Sequence, residues 1–270
     1  MKGIIMSSLN TQIRKDIVSM VYNANSGHIG GSLSLVEIMH TLYFKIMNID
    51  PQNPKMEGRD ILIMSKGHAS AVLYSTLAHR GYFSTDELLT YRKLGSRLQG
   101  HPSKKNLECI EASTGSLGQG VCIAVGAALG YKLDKKDGKI FAIAGDGEAQ
   151  EGTFWESAMA AANYKLDNYT LIIDNNGLQI DGKNEDVMCL GDLEAKMKAF
   201  GFETYVVDGH NEKELEEVFS KKVSGKPKCV IAKTVKGKGV SFMENAVGWH
   251  GKAPSKEEYE KAMEELNKLD

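Results

Sequence analysis

Two short polar clusters each follow an apolar run. Gly145-Asp146-Gly147 comes after Lys139-Ile-Phe-Ala-Ile-Ala144, and Asp174-Asn175-Asn176-Gly177 after Tyr169-Thr-Leu-Ile-Ile173. Each alone reads as a turn, because Gly, Asn and Asp dominate turns. Asp146 and Asn176, however, stand 30 positions apart, the length of one strand–helix–strand unit. If the two runs are neighbouring parallel strands, both side chains emerge at one carboxyl edge, where open α/β sheets bind ligands. A carboxylate beside an amide oxygen suits a hard cation such as Mg2+ or Ca2+, which keeps positions free for water and phosphate oxygens. Gly145 and Gly147 let backbone approach a diphosphate, and a helix start behind them offers N–H donors. The pair predicts a metal–diphosphate site.

His28, His68, His101 and His250 sit beside glycine or proline in expected loops. Loops on a rigid scaffold are where functional groups collect. There an imidazole can donate to a sugar hydroxyl, hold a phosphate or move a proton near neutral pH. His40, His79 and His210 fall in helices or at a strand exit and read as structural. Gly115-Ser116-Leu117 belongs to a glycine cluster ahead of an Ala-rich helix, and close helix packing is its plain reading. Glu151, five residues after Asp146, reads as an acidic partner of a helix dipole. Trp155 and the methionines read as core.

The elements that must carry these residues alternate. Helical stripes are expected over residues 8–23 (Ile13, Ile17, Met20, Val21) and from Ser34 as N-cap through Leu35, Ile38, Met39 and Leu42. Ser84-Thr-Asp-Glu87 has capping-box spacing and predicts another helix. Further helices are expected over 122–133, 153–166, 192–200 and 255–269, with an acidic, lysine-rich one between the last two strands. Strands are expected over 60–65, 139–144, 169–173, 203–207 and 228–232. Such alternation implies an α/β fold, a mainly parallel sheet with helices on both faces, in a single domain.

Composition excludes several classes. The 33 Lys and Arg nearly balance 35 Asp and Glu, for a formal charge of −2. With no basic excess there is no footprint for nucleic acid. No run reaches about 18 apolar residues, which argues against a membrane span, and the start turns polar too early for a secretory signal. A cytoplasmic protein is expected. Cys109, Cys122, Cys189 and Cys229 are scattered and read as buried small hydrophobes rather than a disulfide framework or zinc site. Glycine, 28 of 270 residues, is enriched to about 10% against about 7%, in clusters at 27–31, 115–120, 145–152 and 237–239.

Gly145-Asp-Gly-Glu-x-x-Glu-Gly running on to Asn175-Asn176 resembles the thiamine diphosphate signature, and the wider chain resembles the N-terminal portion of transketolases. The pieces that carry the likeness are Asn25-Ser-Gly-His28, Lys66-Gly-His68, Gly100-His-Pro102, Ser113-Thr-Gly-Ser-Leu-Gly-Gln-Gly120, Lys233-Thr-Val-Lys-Gly-Lys-Gly239 and Trp249-His-Gly-Lys-Ala-Pro254. The resemblance implies a metal held by Asp146, Asn176 and Leu178. It implies thiamine diphosphate contacts from Gly115, Ser116, Leu117, Gly145, Asp146, Gly147 and Asn176. It puts His68 and His250 near the diphosphate, His28 and His101 on substrate hydroxyls, and Glu151 in a proton relay at the interface between two chains.

The family usually has a much longer chain, whose second portion carries the aminopyrimidine-binding domain with its activating glutamate and a last domain. The resemblance therefore implies an N-terminal subunit that works with a C-terminal, pyrimidine-binding transketolase subunit. The expected assembly is an α2β2 heterotetramer acting on sugars or sugar phosphates. Ile29 departs from the proline common in long-chain members. The alpha component of a 2-oxo acid dehydrogenase is the nearest rival; it would lack the Gly100-His-Pro and His-Gly-Lys-Ala-Pro pieces. A non-catalytic regulatory subunit would have lost Asp146 or Asn176.

Overall fold

Alternate residues of each apolar run enter different cores. In β1 (Ile61–Met64), Ile61 and Ile63 face one helical layer while Leu62 and Met64 face the other. The parity continues in β2 (Ile140–Gly145), where Ile140, Ala142 and Ala144 oppose Phe141 and Ile143. In β3 (Tyr169–Asn175), Leu171 and Ile173 oppose Ile172. β4 (Glu203–Asp208) is the half-exposed edge, and in β5 (Lys228–Lys233) Cys229 and Ile231 oppose Val230 and Ala232. Side chains alternate across a strand, so runs covered on both faces are apolar throughout.

The computed structural model describes residues 2–269. All neighbouring strands pair in parallel, in the order β1-β2-β3-β5-β4. Gly145 stands opposite Asp174, so the two polar clusters do leave the sheet side by side, in the expected α/β fold. In chain order, α1 (Lys2–Ala24), α2 (Ile29–Leu33) and α3 (Val36–Thr41) precede β1, and α4 (Ser70–Arg80) and α5 (Gln119–Leu133) follow it. Next come α6 (Gly152–Asn163), α7 (Asn184–Val187), α8 (Leu193–Ala199), α9 (Glu212–Ser220) and α10 (Lys256–Asn267). One core is closed by α1–α4, α9 and α10, the other by α5, α6 and α8.

Local expectations fail where a side chain finds a better partner. Ser34 caps no helix start: it ends α2, and its hydroxyl lies 2.7 Å from Asp174 Oδ2. Ser84 opens only a 3-10 turn over Thr85–Thr90, because Glu87 is held by Arg97 at 2.6 and 2.8 Å instead of returning to the cap. α4 has no reading in the sequence because nine of its residues are buried all round, leaving no polar stripe. Met159 and Met188 are exposed rather than core. The four cysteines are free thiols, and only Cys229 is buried, with Cys189 exposed. Among the described residues no helix is long and apolar enough to cross a membrane.

Candidate active site

The carboxyl ends of β1, β2 and β3, together with the loop after β5, deliver their residues to one cavity of about 360 Å³. His28, His68, His101, His250, Asp146, Asn176, Leu178 and Glu151 all line it, as do Gly115, Leu117, Gly145 and Gly147. Ser116, between two lining residues, does not. Loops meet tightly here. A Cβ on Gly67 would stand 2.8 Å from the Gly115 amide nitrogen, so glycine is what lets the His68 loop touch the 113–118 loop.

One side of the cavity is acidic. Asp146 is buried; its Oδ1 accepts from the Gly147 amide at 2.8 Å and its Oδ2 from the Gly177 amide at 2.6 Å, which ties the β2 and β3 loops together. Asn176 Oδ1 accepts from the Leu178 amide at 3.1 Å. Burial, then the nearby Asp174 charge, push the Asp146 carboxyl above its ordinary value. Asn184 bonds Asp146 yet leaves its own Oδ1 buried without a partner. A buried carboxylate with no ion pair among the described residues, flanked by amide oxygens, fits a hard divalent cation. No helix starts directly behind Asp146. The chain makes a 3-10 turn over Gly147–Gln150, and Glu151, exposed at the rim, precedes α6. Within that turn Glu148 is buried, its carboxylate accepting from the Gly118 amide at 2.9 Å, Ser65 Oγ at 2.5 Å and the Gly145 amide at 3.1 Å. Glu148 thus locks three cavity walls in register.

The other side is cationic. Lys66 Nζ lies 2.5 Å from Asp174 Oδ2, both side chains fully sequestered. Asp174 also accepts from Ser34, Asn176 and Thr234. Burial alone would raise Asp174, but the Lys66 charge and these hydrogen bonds outweigh it and hold the carboxyl low. Lys236 Nζ is 2.8 Å from His250 Nδ1, and burial followed by repulsion from Lys66 pushes Lys236 down to about 8. His28, His68 and His250 form a triangle with ring centres 5.2, 5.3 and 5.3 Å apart, and His101 stands 6.2 Å from His28. Burial first, then neighbouring cations, bring His250 to about 3 and His28 to about 4, and also lower His68 and His101. At neutral pH these imidazoles are uncharged donors and acceptors packed among ammonium groups, a setting that favours a polyanion.

A family model described as "Transketolase, thiamine diphosphate binding domain" matches residues 5–267. The chain belongs to the transketolase family. It is 42% identical over 256 residues to an apulose-4-phosphate transketolase subunit of Phocaeicola vulgatus, covering 94% of this chain and 91% of that one. The subunit of the same name from Actinobacillus succinogenes is 44% identical, with 94% and 93% covered. A 6-deoxy-6-sulfo-D-fructose transketolase subunit from a Clostridium species is 40% identical, with 95% and 94% covered. Among solved structures, transketolase from Campylobacter jejuni superposes with a TM-score of 0.91 at 36% identity, covering 97% of this chain but 43% of that one. This chain therefore spans nearly the whole length of these short transketolase subunits and about two fifths of the long-chain transketolases.

Within this transketolase domain, Lys66, Lys236 and Glu148 stand inside the sequence motifs with no task that the motifs themselves reveal, and Arg92 and Asp174 emerge as organisers only in three dimensions. A charged residue wedged between small or apolar neighbours, as in Met-Ser-Lys66-Gly-His, is the signal available for the lysine. His40, His79 and His210 do serve structure, pairing with Glu212, Asp16 and Glu37 at 2.8, 2.7 and 2.9 Å.

Lys236 gives a pH prediction. In the free chain it loses its proton around 8; a bound anion raises that value, so binding takes up a proton as pH rises past 8. Relative to Lys236→Met, which shares the ionisation of the ligand itself, affinity for inorganic pyrophosphate should be flat below about pH 7.5 and then fall by up to about tenfold per pH unit. Calorimetric titration of both proteins from about pH 6.5 to 9.5 measures it. A constant ratio across that range removes Lys236 from the anion site.

Proposed function

We propose that this chain is the diphosphate-side half of a two-chain, thiamine diphosphate-dependent transketolase, moving a two-carbon ketol unit from a ketose or its phosphate to an aldose or its phosphate. The observation that carries the reading is the single cavity in which buried Asp146 and half-buried Asn176 face four uncharged histidines and two lysines. We read residues 1–270 as one domain, with the pyrimidine-binding and C-terminal domains on a partner chain in an α2β2 assembly, and place the protein in the cytoplasm.

Thiamine diphosphate, when bound, supplies the carbanion chemistry by which the C–C bond is broken and remade. This chain's residues bind and orient. Asp146, Asn176 and the Leu178 carbonyl would hold Mg2+ or Ca2+, which would offset the diphosphate charge. Gly145, Gly147 and the Gly115-Ser116-Leu117 loop supply close backbone. Lys66, Lys236, His68 and His250 balance the phosphoryl charge. His28 and His101 take substrate hydroxyls, and the exposed His101, being uncharged, can accept or return a proton there. Glu151 at the rim faces the partner as a proton relay. Ile180, which lines the cavity yet is 66% exposed, and the exposed Ile123 and Met159 on α5 and α6 supply apolar surface for that partner to cover.

Thiamine diphosphate titrations of the reconstituted complex, with and without Mg2+, test the metal site. Asp146→Ala should weaken affinity on the order of 100-fold, and Leu178→Ala far less, since its carbonyl survives. Equal affinity with and without metal defeats this assignment. For the histidines, His28→Ala and His101→Ala should raise KM or lower turnover while cofactor affinity stays within about threefold, under about 1 kcal/mol. His101→Ala losing cofactor as badly as Asp146→Ala would overturn the division of roles.

A further inference from the structure

Arg92 sits outside every motif named above, in a backbone conformation that side chains avoid, with φ +59°. Its guanidinium spends its donors on two neighbouring loops. Nη1 donates to Ser26 Oγ at 2.9 Å and Nη2 points at His28 Nδ1 at 3.4 Å, both in the loop leading into α2. Nη2 also reaches the Gly100 carbonyl at 3.4 Å, next to His101, and Nε donates to Tyr91 Oη at 3.1 Å. Gly100 is shaped to this contact, for a Cβ there would stand 2.7 Å from Arg92 Cζ. The Gly100 carbonyl accepts again from Ser70 Oγ at 2.8 Å, and Tyr74 Oη donates to the Gln99 carbonyl at 2.9 Å.

A guanidinium has donors only and keeps its charge at any working pH. The His28 nitrogen facing it must therefore present a lone pair. We infer that Arg92 is the positioning residue of the substrate side: it bridges the His28 and His101 loops and fixes His28 as the tautomer whose only proton is on Nε2, the nitrogen turned away from Arg92. The strained backbone is consistent with this, since such conformations persist where the surroundings over-determine them. Held this way, His28 offers one directed N–H to a sugar hydroxyl and no second donor. The charged and titratable groups around His28 are Arg92, His101, Lys236 and Lys66, with the His68 and His250 rings in contact. The inference rests on His28 and His101 acting on substrate, but its structural core can be tested without turnover.

The test is 15N NMR of the histidine rings in the whole chain, with His28 assigned by the His28→Gln spectrum. His28 should show the Nε2–H tautomer and stay uncharged down to about pH 5. Arg92→Gly suits a backbone that glycine adopts freely, so it should remain folded by circular dichroism. It should also release His28 into a mixture of tautomers that titrates closer to about 6.5. Gly100→Ala, which displaces the guanidinium, should do the same. In the reconstituted complex Arg92→Gly should raise KM for the ketose by about tenfold or more, with thiamine diphosphate affinity within about twofold. Arg92→Lys, which keeps the charge and loses the fork, should not restore KM. An Nδ1–H tautomer in the unaltered protein overturns the inference, even if no variant folds. So do His28 ring shifts unchanged in Arg92→Gly. If instead His28→Ala leaves KM unaffected while the ring shifts respond to Arg92, the positioning stands and the substrate assignment falls.

Discussion

The purified chain alone should be folded, bind diphosphate, and show no measurable ketol transfer, with activity appearing on addition of a pyrimidine-binding partner. The sheet and both its cores are internal to this chain, so folding does not require a second polypeptide. Chemistry does. On the function proposed above, the cavity's residues anchor the diphosphate and meet substrate hydroxyls, but the cavity is open at Ile180, 66% exposed. A cofactor held only by its diphosphate keeps its reactive rings unplaced. Loss of a positioned acid–base group costs about 10²–10⁴-fold, and lost orientation several kcal/mol more. A deficit of at least about 10⁴-fold relative to the complex is therefore expected. Ketose-dependent transfer assays on the chain before and after adding its partner, with sedimentation to count subunits, provide the measurement. Robust turnover by the single chain defeats the two-subunit reading.

Asp174→Ala should be among the most destabilising single changes in the molecule. It leaves the Lys66 ammonium, 2% exposed, without its counter-charge, and removing one partner of a buried ion pair costs about 3–5 kcal/mol. For a chain of this size that corresponds to a fall in Tm on the order of 10 °C. Ser34 and Thr234 lose their acceptor as well, which places the loss at the upper end. Lys66→Met combined with Asp174→Asn removes both charges and keeps an acceptor for the hydroxyls, so it should recover much of the stability without recovering pyrophosphate affinity. Denaturant melts of the single and double variants check this. A single variant within about 1 kcal/mol of the parent would show that water already reaches Lys66. The pair also sets an acid limit. Asp174 is held below its unfolded value, so its contribution is complete above about pH 4 and drains away as pH falls through the lowered folded value.

The sheet was legible because period-two burial on both faces leaves uninterrupted apolar runs, and all five strands lie within a few residues of where those runs stand. The Asp146–Asn176 spacing predicted neighbouring strands correctly, since a parallel crossover has a narrow range of lengths. Caps were less legible. Ser34 and Ser84 carry the right side chain for a helix start, but Asp174 and Arg97 are long-range competitors that local spacing cannot reveal. α4 was invisible because burial on every side erases the helical stripe. In the site, glycine-flanked histidines announced themselves, whereas Lys66, Glu148 and Arg92 act through partners 108, 83 and 64 positions away. Their immediate neighbours do not identify those partners.

Strand order has a consequence for how the protein is made. β4 has β5 as its one strand neighbour among the described residues, and β5 is inserted between β3 and β4. A nascent chain that has reached Asp208 therefore holds an edge strand with nothing to pair with. In the folded chain α10 packs on α1, where Tyr259 stacks on Tyr22 at 4.2 Å. Helix α1 thus waits for α10. Lys236 and His250 follow all five strands, so these cationic and imidazole groups reach the cavity only after every strand has been made. Non-local parallel pairing of this kind must meet its loop-closure entropy before contacts repay it. On the ribosome the half-made sheet is the species with open edges, and it is there that a chaperone has most to shield.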